Sequence, residues 1–347
     1  MRVWAVALTA VVLLGVAAPR RPSPVGPTIF HGTLVDPAKW TYYASITSRD
    51  QAGSAHRTIS CGAVVVAPTT VLTASHCVTG TGSTMAVAVG TGINPHIGGE
   101  VIGVRRVVLA PDADPATFSH DVAVLVLDHA VPGSVVPVAV ATPADDATML
   151  AGGARVEVAG VGQTDNVDPS SAAASELRSA AMEVTPAGSC KVEIENGSRA
   201  VMNNDEFCTN GVPGTDRHSH NLGDPCYGDS GGPIVSLQRG TPVLVGLVST
   251  GTAQCATGSD IQPRLSAFAS FLKRYLAATP ADHAPDGPSR VPATARANPT
   301  MASAAPGAGR GGTWSTLWAL FTAAVLAAAL VARIVSGRRK GGDHPDP

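Results

Sequence analysis

The chain has 347 residues, 44% hydrophobic and only 14% charged, with a formal net charge of −2 at pH 7. That balance excludes a basic nucleic-acid-binding surface. The length allows one large or two ordinary domains with appendages. A wealth of Val, Ala, Gly and Thr beside 4% aromatic residues favours short strands and turns over long helices.

Residues 1–18 read as a secretory signal. Arg2 is the positive n-region, residues 5–16 are apolar, and the small Ala17 and Ala18 follow. The run falls short of the ~20 residues a membrane span needs. Residues 19–28 form a short propeptide or linker, because Pro22-Ser23-Pro24-Val25-Gly26-Pro27 cannot pack. Strand-like pieces begin after Ile29-Phe30-His31-Gly32. Ala63-Val64-Val65-Val66 and Thr70-Val71-Leu72-Thr73 are broken by Pro68. Further runs cover residues 85–89, 104–109, 122–127, 135–140, 156–159, 192–194, 234–237 and 243–248, separated by Gly, Pro, Asp and Asn. Many short strands with frequent turn signals predict an all-β sandwich or barrel. One helix is predicted over residues 265–276, where Leu265, Phe268, Leu272, Tyr275 and Leu276 share a face. It closes a globular domain spanning residues 29–278.

Residues 279–312 are rich in Pro, Ala, Gly and Ser and read as a linker. Residues 314–335 are apolar enough, and long enough, to span a bilayer. Trp314 and Trp318 sit at one end as interfacial anchors, and Arg333 near the other can snorkel. Arg338-Arg339-Lys340 places the tail, residues 336–347, in the cytoplasm. The expectation is a single-pass protein of the cell membrane with its globular domain outside the cell.

Six cysteines stand at positions 61, 77, 190, 208, 226 and 255, none in a C-x-x-C pair. In an exported chain an even number reads as three disulfides, and sequence leaves their pairing open. No acidic cluster between residues 76 and 121 is dense enough for a calcium loop, so neither metal nor cofactor is expected. Asn196-Gly197-Ser198 is a glycosylation sequon.

Chemistry concentrates in Gly228-Asp229-Ser230-Gly231-Gly232-Pro233. A serine between glycines in a tight turn is held out as a nucleophile, with backbone N–H groups free to face an oxyanion. Serine is weak alone and needs a base. Thr73-Ala74-Ser75-His76-Cys77 offers one, at the end of a β-branched strand beside a cysteine able to pin its loop. His120-Asp121-Val122-Ala123-Val124-Leu125-Val126-Leu127 offers a carboxylate to orient the imidazole.

These three motifs, in the order His, Asp, Ser, resemble the trypsin-like, chymotrypsin-fold serine proteases over residues 29–276. The resemblance implies two six-stranded antiparallel β-barrels with the site between them. It assigns Ser230 as nucleophile, His76 as general base and then acid, Asp121 as orienter, and the N–H groups of Gly228 and Ser230 as oxyanion hole. It pairs Cys61 with Cys77, Cys190 with Cys208, and Cys226 with Cys255. It implies protein or peptide substrates and no cofactor.

By the same resemblance Asp224, six residues before the nucleophile, lies at the floor of the pocket for the P1 side chain, where a carboxylate favours Arg or Lys. Gly251 and Gly258 match the glycines that keep such a pocket open, and Ser249 matches the serine beside the triad's Asp. Two aromatic positions depart from the family pattern: Thr250 follows Ser249 where Trp is usual, and Gly160-Val161-Gly162 stands for Gly-Trp-Gly. Ile29-Phe30-His31-Gly32 resembles the activation sequence, so a new ammonium at Ile29 would pair with Asp229. Thr28 precedes it rather than a basic residue, which leaves three readings: an activating protease of other specificity, trimming after a cut near Arg20-Arg21, or an Ile29 that simply begins a strand and plays no part in activation. Two further readings stand beside the basic-specific membrane-anchored endopeptidase. One is a catalytically silent homologue serving as a cell-surface binding module. The other is an enzyme of narrow or non-basic specificity.

Overall fold

β-Branched runs punctuated by turn residues become two antiparallel halves. The computed structural model describes residues 29–52, 59–78, 84–90, 99–163, 176–190, 192, 203–212, 223–252 and 254–277. The expected signal segment, linker, membrane span and tail lie outside them. All described residues belong to a first unit, Met1–Ser303, and the second, Ala304–Pro347, holds none. Among the described residues no helix is long and apolar enough to cross a membrane.

In chain order the strands are β1 (Thr33–Leu34), β2 (Tyr43–Ser48), β3 (Cys61–Ala67), β4 (Thr70–Thr73), β5 (Met85–Val89), β6 (Glu100–Leu109) and β7 (Ala123–Leu127). Then come β8 (Ala139–Val140), β9 (Arg155–Gly160), β10 (Arg178–Thr185), β11 (Glu206–Gly211), β12 (Pro233–Ser236), β13 (Val243–Leu247) and β14 (Asp260–Pro263). The helices are α1 (Asp146–Met149) and α2 (Ala269–Leu276).

The first half is a closed barrel in the order β2-β3-β4-β7-β6-β5. β3, β4, β5 and β7 are buried at every position, which is why they read as continuous apolar runs rather than alternating ones. The Pro68 turn joins β3 to β4, and β4 pairs with β7 from Thr70↔Val126 to Thr73↔Ala123. This last register matters most, because it sets the residues just after Thr73 beside those just before Ala123.

The second half corrects the expectation of a second closed barrel. It is an eight-stranded sheet in the order β14-β11-β10-β9-β12-β13-β8, with β1 paired to β10. Among the described residues β14 meets the β13 side only through isolated bridges, Gly246↔Arg264 and Thr250↔Ile261, and not through a continuous ladder. The physical cause lies in β14. It is four residues long and ends in Pro263, which has no N–H to give, so little of it is left to extend the Ile261–Thr250 bridge into a ladder. The predicted strand over residues 135–140 shrinks to the two residues of β8, because Pro137 interrupts it.

The predicted helix over 265–276 opens as a 3₁₀ turn, Leu265–Phe268, before α2. Leu272 and Tyr275 of α2 are buried in a core shared by the first barrel and by Ala159, Val235, Leu244 and Leu247 of the second half, and Thr70 Oγ1 donates to the Tyr275 carbonyl at 3.0 Å. The C-terminal helix therefore clamps the two halves together. A separate core holds Ile29, Met149, Val156, Val158, Ile234 and Val245 within the second half.

Candidate active site

The β4–β7 register brings His76, in the turn after β4, against Asp121, two residues before β7. His76 Nδ1 lies 2.7 Å from Asp121 Oδ2. An ionised carboxylate only accepts, so Nδ1 carries the proton and Nε2 is left as a base. Asp121 is almost fully buried and fully supplied with donors. Oδ2 also accepts from Ser249 Oγ at 2.6 Å, and Oδ1 accepts from Ser75 Oγ at 2.7 Å and the His76 N–H at 3.0 Å. Burial alone would raise its pKa. His76 and the two serine hydroxyls outweigh burial and hold the carboxyl well below the usual range.

Ser230 comes from the second half. Its backbone is bolted to the first: Gly62 N–H of β3 donates to the Ser230 carbonyl at 2.8 Å. Cys77 Sγ lies 3.6 Å from that carbonyl and 3.8 Å from His76 Nε2, so one sulfur touches both catalytic segments. Among the described residues Ser230 Oγ takes no hydrogen-bond partner, as in many unliganded sites where the bond to the base forms with substrate. The Phe118 ring stands edge-on to the His76 ring at 4.8 Å.

The turn carrying Ser230 depends on two glycines with positive φ, Gly228 at +95° and Gly231 at +77°. A Cβ at Gly231 would also collide with Thr73 Oγ1 and come within 2.5 Å of the Gly62 carbonyl. The N–H groups of Asp229, Gly231 and Gly232 are all taken, by Cys226, Val248 and Asp229 carbonyls. Those of Gly228 and Ser230 have no acceptor among the described residues. Two free N–H groups beside a serine are what an oxyanion requires.

Asp229 points the other way, into the protein, with no exposure. Its Oδ1 accepts from Gly162 N–H at 2.6 Å and its Oδ2 from Cys226 N–H at 2.8 Å. Burial dominates those bonds and pushes its pKa up to about 7. Ile29 is fully buried in the second core, and Phe30 bridges to Asp224, whose N–H donates to the Phe30 carbonyl at 3.0 Å. Ile29 has φ +44°, an outlier for a β-branched residue.

Asp224 is buried, and its Oδ2 accepts from Ala256 N–H at 2.9 Å. The two glycines matched to the pocket part company. Gly258 lies against the Thr252 side chain. Gly251 faces a carboxylate that sequence reading passes over, Asp260, whose Oδ1 occupies the space a Cβ at Gly251 would need. Asp260 looks like one more turn aspartate until β14 is registered against Thr250. Ser75 and Phe118 were missed for the same reason, since only the fold sets them against the triad. Thr250, at a usual Trp position, is half-buried, and Val161 is fully buried.

The disulfides are Cys61–Cys77, Cys190–Cys208 and Cys226–Cys255. The first joins β3 to the His76 turn and the third joins the Asp224 loop to the Gly251–Asp260 loop. Cys61, Cys77 and His76 offer ligand atoms within 4.8 Å of one another, but both sulfurs are spent in the disulfide and supply no thiolate for a metal.

A serine whose hydroxyl and neighbouring N–H groups have no partner among the described residues, and an imidazole held by a buried carboxylate, are the parts a serine hydrolase uses for acyl transfer. The family profile described as Trypsin matches residues 29–272, and the chain belongs to that family. It is a serine endopeptidase. The chain is similar to Trypsin zeta of Drosophila erecta, 29% identical over 62% of this chain and 72% of the relative. It is similar to Trypsin iota of Drosophila melanogaster, 28% identical over 70% of this chain and 84% of the relative. It also resembles Serine protease 56 of Homo sapiens, 28% identical over 76% of this chain and 42% of the relative.

Proposed function

We propose that this chain is an endopeptidase tethered to the outside of a cell membrane, cutting proteins after Arg or Lys. The observation that carries the catalytic part is the saturated Asp121 carboxylate, which has four donors and one of them His76 Nδ1. Ser230 Oγ attacks the scissile carbonyl and its proton passes to His76 Nε2. The Gly228 and Ser230 N–H groups hold the oxyanion, and His76 then gives the proton to the leaving amine. Water, activated by the same imidazole, releases the acyl group from Ser230. Asp121 holds the tautomer and stabilises the imidazolium.

Preference for a basic P1 side chain is supported by the buried Asp224 and by relatives that carry the name trypsin. Secretion and anchoring are supported by residues 1–18 and 314–335 of the sequence. Activation by a cut before Ile29 is supported by the residue's torsion. φ at Ile29 is defined by the Thr28 carbonyl, so cleavage of the Thr28–Ile29 bond removes that strain and frees an ammonium from which Asp229 gains a partner. Because Thr28 precedes the bond, the activating protease would not be trypsin-like.

Full-length protein with its N-terminus freed at Ile29 should be labelled by a fluorophosphonate, and Ser230→Ala should abolish the label. Labelling that survives in Ser230→Ala overturns the assignment. On a peptide library the enzyme should select Arg or Lys at P1 and lose that preference in Asp224→Ser.

A further inference from the structure

The pocket has two acids where the basic-P1 reading calls for one. Asp260 opens β14 opposite Thr209 of β11, and Ile261 beside it exchanges two backbone hydrogen bonds with Thr250. That register turns the Asp260 side chain against Gly251, where only a glycine leaves room for it. Asp224 and Asp260 act on each other electrostatically, each carboxyl shifting the titration of the other. Both residues are more than nine-tenths buried, at 1% and 4% exposure. Asp224 Oδ1 and Asp260 Oδ2 are buried with no hydrogen-bond partner. Two buried carboxylates that act on each other resist double ionisation, and one shared proton relieves that cost. The unpartnered oxygens mark acceptors that the protein itself does not satisfy.

We propose that Asp260 is a second specificity determinant of the substrate pocket: Asp224 and Asp260 share one proton when the pocket is empty and release it when a basic side chain enters. The step balances. A singly protonated pair and a guanidinium become a doubly ionised pair bridged by the guanidinium, and one proton goes to solvent. Burial raises the pKa of both members of the empty pair, which favours a proton on it. The incoming cation reverses that balance. A guanidinium presents a fork of donors able to meet two carboxylates, whereas an ammonium is a point charge, so the pair favours Arg over Lys. The inference rests on the basic-P1 reading and adds to it a proton and a preference.

Among the described residues few titratable groups face the pair. Asp229 lies in the same loop as Asp224 and is electrostatically coupled to it. Tyr227 lies between them in sequence. His31 sits in the N-terminal segment that bridges to Asp224, and Glu206 stands at the far end of β11, opposite Pro263. Of these Asp229, raised by burial to about 7, titrates in the same range, so the test must separate it from the pair.

The probe is benzamidine, an aromatic amidinium, bound to the full-length protein with its N-terminus freed. Calorimetry near pH 7 in two buffers of different ionisation enthalpy counts protons. Wild type should release close to one proton per benzamidine, and Asp260→Asn and Asp260→Gly close to none, because only the pair loses its shared site. Release that persists undiminished in both variants belongs to Asp229 and overturns the proposal. Binding without release in wild type overturns it and leaves the basic pocket intact. No binding to wild type together with binding to Asp260→Gly makes Asp260 a plug. No binding to any form removes the basic-P1 reading as well. As a second readout, the wild-type preference for P1 Arg over Lys, about tenfold in kcat/KM, should shrink several-fold in Asp260→Asn. An unchanged ratio counts against bridging.

Discussion

At the scale of single residues, the buried aspartates divide by what their surroundings give them. Asp121 receives four donors and stays ionised well below the ordinary range, whereas Asp229 receives two backbone N–H groups and has its pKa raised. The two have opposite signs in stability. Asp121 contributes stability that is lost only as strong acid protonates it. Asp229 in the uncleaved chain has a folded pKa of about 7, above its unfolded value, so stability complete below about pH 4 is lost as pH rises towards 7. The penalty is on the order of 4 kcal/mol above that range. Asp224 and Asp260 slope the same way, so the informative measurement is a difference. Denaturant melts of uncleaved Ser230→Ala protein, with and without Asp229→Asn, should show the variant's relative stability growing from pH 4 to pH 7. A difference that does not vary with pH would count against the buried, unpaired Asp229. Freeing Ile29 should reverse the slope by giving Asp229 an ammonium.

At the scale of elements, the seam between β3 and the Ser230 turn sets how closely nucleophile and base approach. Gly62 donates to the Ser230 carbonyl, and a Cβ there would lie 2.8 Å from the Cα and N of Gly232. Neither neighbour is a flexible side chain, so Gly62→Ala must push two backbones apart at a cost of ~1–3 kcal/mol. The expected result is a thermal midpoint lower by about 5 °C and kcat/KM reduced more than tenfold, since the Ser230–His76 alignment moves with the seam. Gly103→Ala in β6 is the contrasting case. Its Cβ would meet the Arg49 head and Asp128, a half-exposed ion pair free to swing away, and little should change in activity. Equal losses from both substitutions would deny the seam its special part.

At the scale of the whole molecule, the protease domain carries the chemistry and residues 314–335 would fix where it works. Stopping the chain after residue 278 should release active enzyme into the medium, while the full chain resists an alkaline carbonate wash of membranes. Retention of the shortened form, or loss of the full one on washing, would remove the span from the account. The clamp of α2 on the first barrel, through Leu272, Tyr275 and the Thr70–Tyr275 hydrogen bond, explains why the cut belongs after the helix rather than before it.

Much of this was legible in the chain itself. β-Branched runs betray β4, β5 and β7 because these strands are buried on both sides and must be apolar throughout. Gly-Asp-Ser-Gly-Gly-Pro is legible because a turn with two positive-φ positions and a close backbone approach admits few other residues. β2, β10, β11 and β14 were not legible. Their Ser, Ala, Asn, Asp and Pro content carries weak β-propensity, and only pairing with neighbours makes them strands. The opening of the second half was hidden too, since it turns on the shortness of β14 and on Pro263 at its end. Sequence determined which serine, histidine and aspartate stand in the signature turns, because those residue types in those turns are recognisable locally. Only the tertiary structure decided that Asp260 would join Asp224, because a carboxylate's neighbours are set by strand register, and register has no local signature at all.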